Sequence, residues 1–315
     1  MGDDGDMARV AVVLGSGGAR GYAHLGAVEV LRARGHEIVA VAGTSMGALV
    51  GGLVAAGREE QFSEWVLSLT QSRVIRMLDP ARAGGGAVSL NRLIRTLEDM
   101  VGEVVIEDLP ISYTAVATDL AARREVWFQR GPLIPAIRAS IAIPGLFTPA
   151  IVDGRVLVDG GLMNPLPLDP TAAAAADFTF AVSLQGPRAP HEPASPDREF
   201  STRSPEWAKE LRRRFGRAYP GGGDRPEASS IQPPGTAVPE SSGVGQPDLR
   251  TSDVVAQSID AMQSLITRYR LAASPPDVLV TVPVNAAGTL DFHRAEEMID
   301  LGRHLASAAL DDAGR

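Results

Sequence analysis

The chain has 315 residues, 44% hydrophobic and 22% charged, enough to bury a large core as one domain or two small ones. A formal net charge of −8 argues against a general nucleic-acid binder, which carries a basic stripe. With no cysteine, disulfides, zinc–thiolate sites and cysteine nucleophiles are excluded together.

The N-terminus, Met1-Gly2-Asp3-Asp4-Gly5-Asp6, is acidic, and a disordered leader is expected over residues 1–7. It lacks the pattern of a signal peptide, and no apolar run of about 18 residues occurs. A cytoplasmic protein is expected, at most peripheral to the inner membrane face. Asp3, Asp4 and Asp6 lack the remaining ligands of a calcium loop, so no metal and no cofactor are expected.

Arg9–Leu14 reads as a short buried strand that runs into Gly15-Ser16-Gly17-Gly18-Ala19-Arg20-Gly21. Tyr22–Arg34 carries Leu25, Val28 and Leu31 at helical spacing and is ended by Gly35. Glu37–Ala42 is a second strand, leading to Gly43-Thr44-Ser45-Met46-Gly47. Met46–Ala56 and Glu59–Leu69 read as helices, and Ser89 as the N-cap of Leu90–Val101. Ser112–Thr118 and Glu125–Phe128 are strand-like, Leu133–Ser140 is helical, and Ile141–Gly145 is a turn. Asp153-Gly154 is a hairpin turn between Ala150–Val152 and Val156–Val158. An alanine-rich helix is expected before a buried strand at Phe178–Leu184. This alternation is that of an α/β layered domain with a largely parallel sheet.

Residues 186–250 then turn rich in Pro, Gly, Ser and charge, the composition of a flexible insertion. Within it Glu206–Tyr219 fits one helix, with Trp207, Leu211 and Phe215 beside Arg212, Arg213, Arg214 and Arg217. Such a helix serves as a solvated linker or lid, or makes transient contact with an anionic membrane surface. Order is expected again at Ser252–Leu271 (helix), Asp277–Val282 (strand) and Phe292–Leu310 (closing helix). A single domain spanning residues 8–315 accounts for this order.

Gly-x-Ser-x-Gly between a strand and a helix is the nucleophile-elbow pattern, which forces the serine hydroxyl outward. Taken alone, Gly43–Gly47 also fits a tight turn without chemistry. Adjacent parallel strands present their C-terminal loops side by side, so Gly15–Gly21 should meet the elbow. Its glycines let backbone N–H groups approach a small anionic oxygen, as an oxyanion hole requires. Arg20 either adds positive charge there or braces the loop through carbonyls. The five histidines (His24, His36, His191, His293 and His304) offer no evident base. Val156-Leu157-Val158-Asp159-Gly160-Gly161 instead places a carboxylate at the end of an apolar strand. Partial desolvation raises such a carboxylate toward useful basicity, giving a Ser45–Asp159 dyad without histidine.

Together these residues resemble the patatin-like phospholipase family, from Val10 to Leu184 and again at Asp277–Ala295. Gly15–Gly21 resembles its oxyanion loop, Gly43–Gly47 its elbow and Asp159-Gly160-Gly161 its Asp-Gly-Gly/Ala motif. Ala117–Leu120, Ala139–Gly145, Asn164–Pro167 and Asp291–Ala295 look like further landmarks. The likeness is to the bacterial, neuropathy-target-esterase-like branch. It implies a three-layer α/β/α patatin-like fold with a mainly parallel central sheet, Ser45 as nucleophile and Asp159 as its base. It also implies an oxyanion hole at Gly17, Gly18 and Ala19, with Arg20 nearby. The expected activity is carboxylic ester hydrolysis (EC 3.1.1 class) on a phospholipid or lysophospholipid. Ser16 departs from the usual Gly-x-Gly-x-x-Gly loop, a change that is free of strain if its φ is negative.

Three other readings bear on the same residues. Ser45, Asp159 and His293 stand in the chain order of an α/β-hydrolase triad. Gly15–Gly21 has the look of a dinucleotide loop, although Val39–Ala42 closes without the acidic residue such a site needs. A regulatory or scaffold protein of the same fold, with little turnover, is the non-enzymatic alternative.

Overall fold

The computed structural model describes residues 7–77, 79–80, 86–189 and 251–315. The leader, the core of the expected insertion and the expected helix at Glu206–Tyr219 lie outside these residues. The chain divides into one unit of residues 1–191 and 257–315 and a second of residues 192–256. Of the second, only the backbone of residues 251–256 is described, as the opening of a helix.

An apolar run of Val and Ala that alternates with no polar face must be covered on both sides, and the sheet centre is built from such runs. The strands are β1 (Arg9–Leu14), β2 (Glu37–Thr44), β3 (Asp79–Pro80), β4 (Gly86–Ser89), β5 (Ser112–Asp119) and β6 (Arg124–Phe128). They continue with β7 (Gly145–Phe147), β8 (Ala150–Val152), β9 (Arg155–Asp159), β10 (Phe178–Gly186) and β11 (Val278–Pro283). The main sheet has the order β11-β10-β1-β2-β5-β9-β8, with β6 also paired to β5. Pairing is parallel from β11 through β5, and antiparallel for β6, β8 and β9. A smaller sheet of order β3-β4-β7 lies apart from it.

The helices are α1 (Ala23–Ala33), α2 (Met46–Ala55), α3 (Glu59–Leu67), α4 (Gln71–Met77) and α5 (Asn91–Val101). After them come α6 (Leu133–Ser140), α7 (Thr251–Ala273) and α8 (Ala295–Asp312). Alternation along β1 sets the layers. Leu14 meets α2 at Gly51, while Val13 packs with Leu166, Leu168 and Ala181 beneath Leu271 of α7. Behind the antiparallel strands, Ala139 of α6 joins Ala117, Ala150 and Leu157.

Two local expectations fail. Residues 172–176 form turns in place of an alanine-rich helix, since the segment is soon captured by the sheet. There Asp177 N–H donates to the Arg9 carbonyl at 2.7 Å, and Arg9 N–H to Asp177 Oδ2 at 2.6 Å. Too few residues remain to nucleate a helix. Ser89 does not cap α5: it pairs with Asp79 as the last residue of β4, and Leu90 takes the capping position with no side-chain hydrogen bond.

Candidate active site

β2 ends at Thr44, and Ser45 turns the chain into α2 with φ 58° and ψ −122°. A non-glycine residue held there costs about 1–3 kcal/mol, so its surroundings must impose it. The glycines on either side do so. A Cβ on Gly43 would stand 2.2 Å from the Gly47 carbonyl oxygen, and one on Gly47 2.0 Å from that of Leu14. Behind the turn, Ser45 N–H donates to Ser140 Oγ at 2.9 Å, and Ser140 Oγ donates to the Val116 carbonyl at 2.6 Å. Both serines are buried.

Sheet register delivers the second group. Thr44 pairs with Val116 across β2 and β5, and Ala117 pairs with Asp159 across β5 and β9. Gly160 then passes so close over β5 that a Cβ would meet the Val116 carbonyl oxygen at 2.1 Å. Ser45 Oγ donates directly to Asp159 Oδ2 at 2.5 Å, and Asp159 Oδ1 accepts from Gly161 N–H at 2.7 Å. Burial pushes the Asp159 carboxyl up to about 6, against the pull of the hydrogen bonds from Ser45 and Gly161. At neutral pH it is ionised, yet far more basic than an exposed aspartate.

This contact overturns the triad alternative. A Ser–His–Asp relay needs an imidazole between serine and carboxylate, and here the two touch. His293 is exposed, in the turn before α8. His24 is fully buried and joined through Nε2 to the Gly15 carbonyl at 2.9 Å; burial lowers it to about 4, so it stays neutral. Its role is to hold the glycine loop.

A family model for patatin-like phospholipases matches residues 12–172, the stretch that contains both Ser45 and Asp159. The chain belongs to the patatin-like phospholipase family. An uncharacterized NTE family protein of Mycobacterium tuberculosis is 44% identical, over 96% of this chain and 91% of that protein. The neuropathy target esterase of Drosophila melanogaster is 34% identical over 51% of this chain, which is 12% of that much longer protein. A patatin-like phospholipase domain-containing protein of Caenorhabditis elegans is 35% identical over the same shares. The three layers of this chain are the patatin fold.

The glycine loop of this patatin-like chain runs from β1 into a single 3-10 turn, Gly18–Tyr22, that leads directly to α1. The loop lies beside the elbow, as parallel pairing of β1 with β2 requires. Gly18 has φ +59°, and a Cβ there would stand 2.3 Å from the Thr289 carbonyl oxygen. That same carbonyl accepts Ala19 N–H at 2.9 Å, so the Ala19 amide is spent and does not belong in the expected oxyanion hole. Arg20 also turns out to brace. It is buried, and Nη1 donates to the carbonyls of Val284 at 3.0 Å and Ala287 at 3.2 Å. Desolvation lowers its pKa, while the Asp260 charge on α7 raises it. Among the described residues the Gly17 and Gly18 amides donate no hydrogen bond. Ser16 is absent from the positive-φ residues, so the substitution adds no backbone strain.

Ser45 and Gly18 open on an apolar cleft of about 730 Å³, counting its solvent-open side, with Tyr22, Phe62, Trp65 and Phe292 along one wall. Val74 and Met77 of α4, Leu93 of α5 and Phe147 of β7 are among the residues that line the rest. Ser140 and Asn164 stand in the sequence only as members of the landmark stretches Ala139–Gly145 and Asn164–Pro167, with no role legible for either side chain. Asn164 accepts Thr44 Oγ1–H on its carbonyl at 2.8 Å and donates through Nδ2 to Glu125 at 2.8 Å. Glu125 is in turn paired with Arg270. The Pro165 carbonyl takes Ser16 N–H at 2.8 Å, so one short segment ties elbow and loop together.

Proposed function

We propose that this protein is a serine lipid acyl hydrolase acting on the carboxylic ester of a phospholipid or lysophospholipid. In this reading Asp159 Oδ2 takes the Ser45 proton as Oγ attacks the ester carbonyl. The Gly17 and Gly18 amides hold the resulting oxyanion, assisted by the N-terminal end of α2. Collapse of the tetrahedral intermediate expels the alcohol, which receives the proton from Asp159, and leaves an acyl-Ser45 ester. Asp159 then takes a proton from water, the hydroxide attacks the acyl carbonyl, and Ser45 recovers its proton as the acid departs.

The observation that carries this reading is Ser45 at φ 58° with Oγ 2.5 Å from a buried carboxylate on the floor of an apolar cleft. Strain of that kind concentrates at functional sites, and the apolar lining of the cleft suits an acyl chain. A fluorophosphonate probe should label the protein, and the label should vanish in Ser45→Ala. Hydrolysis of acyl esters should fall at least a thousandfold in Ser45→Ala and Asp159→Asn, the scale of losing a nucleophile or its base. An unlabelled parent, or turnover that ignores both substitutions, would leave the scaffold alternative standing.

A further inference from the structure

The helices that close the far side of the cleft have a second face. On α4, Val74 and Met77 line the cleft while Arg73 and Arg76 line an adjoining pocket. On α5, Leu93 lines the cleft while Arg92, Arg95, Thr96 and Asp99 line that pocket. Spacing explains the split: residues three or four apart share a helix face, and their neighbours in sequence do not. Trp65, Leu69 and Met77 belong to both walls, so the apolar cleft and the basic pocket are continuous.

All four arginines are exposed, and among the described residues Asp99 is the one acidic side chain on the pocket wall. Arg73 bonds Ser68, and Arg92 donates to the Arg76 carbonyl, tying α5 to the last turn of α4. Among the described residues Arg73, Arg76 and Arg95 form no ion pair. In a chain of net charge −8 this is a local inversion of sign. Positive charge left unpaired beside an apolar entrance matches an amphiphile with an anionic head.

We propose that the α4–α5 face docks on the phosphate headgroups of an anionic lipid bilayer, at the outer end of the acyl cleft. The guanidinium groups of Arg73, Arg76 and Arg95, spread over two helices, exceed what a single phosphate engages, whereas a bilayer offers a lattice of them. The acidic remainder of the molecule is repelled, so the same charges set its orientation with the cleft toward the lipid. The inference deepens the acyl-hydrolase reading by naming the surface from which substrate is drawn.

The test uses the full chain carrying Ser45→Ala, so that docking is read without hydrolysis. Its outcome is therefore independent of whether Ser45 is a nucleophile. Co-sedimentation is measured with vesicles of phosphatidylcholine alone and with vesicles containing phosphatidylglycerol. Binding should require the anionic lipid and should fall away in about 0.5 M salt, where charges are screened beyond a few ångströms. Each arginine at an anionic surface contributes about fivefold to partitioning, so Arg76→Gln with Arg95→Gln should weaken binding about 25-fold. Arg76→Lys with Arg95→Lys should restore most of it. Arg73→Gln with Arg95→Gln is the second pair, should the first melt early. Equal binding to neutral vesicles, full binding by both glutamine pairs, or displacement by millimolar glycerol phosphate would each overturn the proposal.

Discussion

The Asp159 carboxyl does two things that pull against each other. A base at about 6 is ionised at neutral pH and still basic enough to take a serine proton. In the proposed mechanism the ionised form is the active one, so kcat/KM should fall about tenfold per pH unit below 6. The same shift weakens the fold. Its folded value lies above the value of 3.8 expected in water, so the folded state resists ionisation that the unfolded chain accepts. Below about pH 4 both states are neutral and there is no penalty. As pH rises through 6 the penalty grows to about 3 kcal/mol, at roughly 1.4 kcal/mol per unit. Asp159→Asn should therefore melt higher than the parent at pH 8, with the difference vanishing near pH 4. Thermal melts at the two pH values check this; equal melting at pH 8 would mean that the charge is better solvated than its burial indicates. Ser140 is the partner position. Ser140→Ala leaves Ser45 N–H and the Val116 carbonyl buried without partners, a cost of about 1–3 kcal/mol. It should lower kcat more than KM, because the strained elbow loses its anchor. Steady-state kinetics on a soluble ester, beside a melt, separate that effect from simple unfolding.

At the scale of elements, what was legible and what was not divide along one physical line. β1 and the interior of β2 are continuous apolar runs, and β5 and β10 interrupt theirs only with Tyr, Thr and Ser; such stretches announce buried strands without help from the rest of the chain. The elbow was legible for the same local reason. The small sheet of β3, β4 and β7 was not, because strands of two to four residues carry no period. Ser89 illustrates the point: its side chain favours a helix cap, and pairing with β3 overrides it. The meeting of Ser45 with Asp159 depends on register across β2, β5 and β9, which no local pattern encodes; the lack of an evident histidine base suggested the pair, and the family likeness supported it. The cleft wall is also non-local, assembled from α3, α4, α5 and β7. It carries a prediction for chain length. Leu93 stands on the wall shared with Val74 and Met77. Leu93→Trp fills part of the acyl path and should lower the ratio of long-chain to short-chain ester turnover about tenfold, as overpacking costs about 1–3 kcal/mol. A series of soluble esters of increasing acyl length reads that ratio directly.

Over the whole molecule, the groups proposed to be catalytic and what holds them come from distant parts of the chain. Residues 12–172 match the family and contain Ser45, Asp159 and the glycine loop. The loop is nevertheless fixed by the segment between β11 and α8. The Thr289 carbonyl takes Ala19 N–H and crowds Gly18, while the Val284 and Ala287 carbonyls take the Arg20 guanidinium. That segment is fixed in turn by α8 lying against α1 at glycine contacts. A Cβ on Gly302 would meet the Ala23 carbonyl oxygen at 2.1 Å, and one on Gly26 that of Ile299 at 2.0 Å. Arg20 thus transmits the position of the C-terminal helix to the amides proposed to hold the oxyanion. Arg20→Met keeps the apolar stem of the side chain and removes the guanidinium, leaving two carbonyls without partners. Stability should drop by about 1–3 kcal/mol, and kcat on a soluble ester should fall at least tenfold with KM little changed, since loosened amides stabilise the transition state less than they bind substrate. Phe292 of the same segment lines the cleft, so a change in KM comparable to that in kcat would place the effect in the cleft wall and not in the loop.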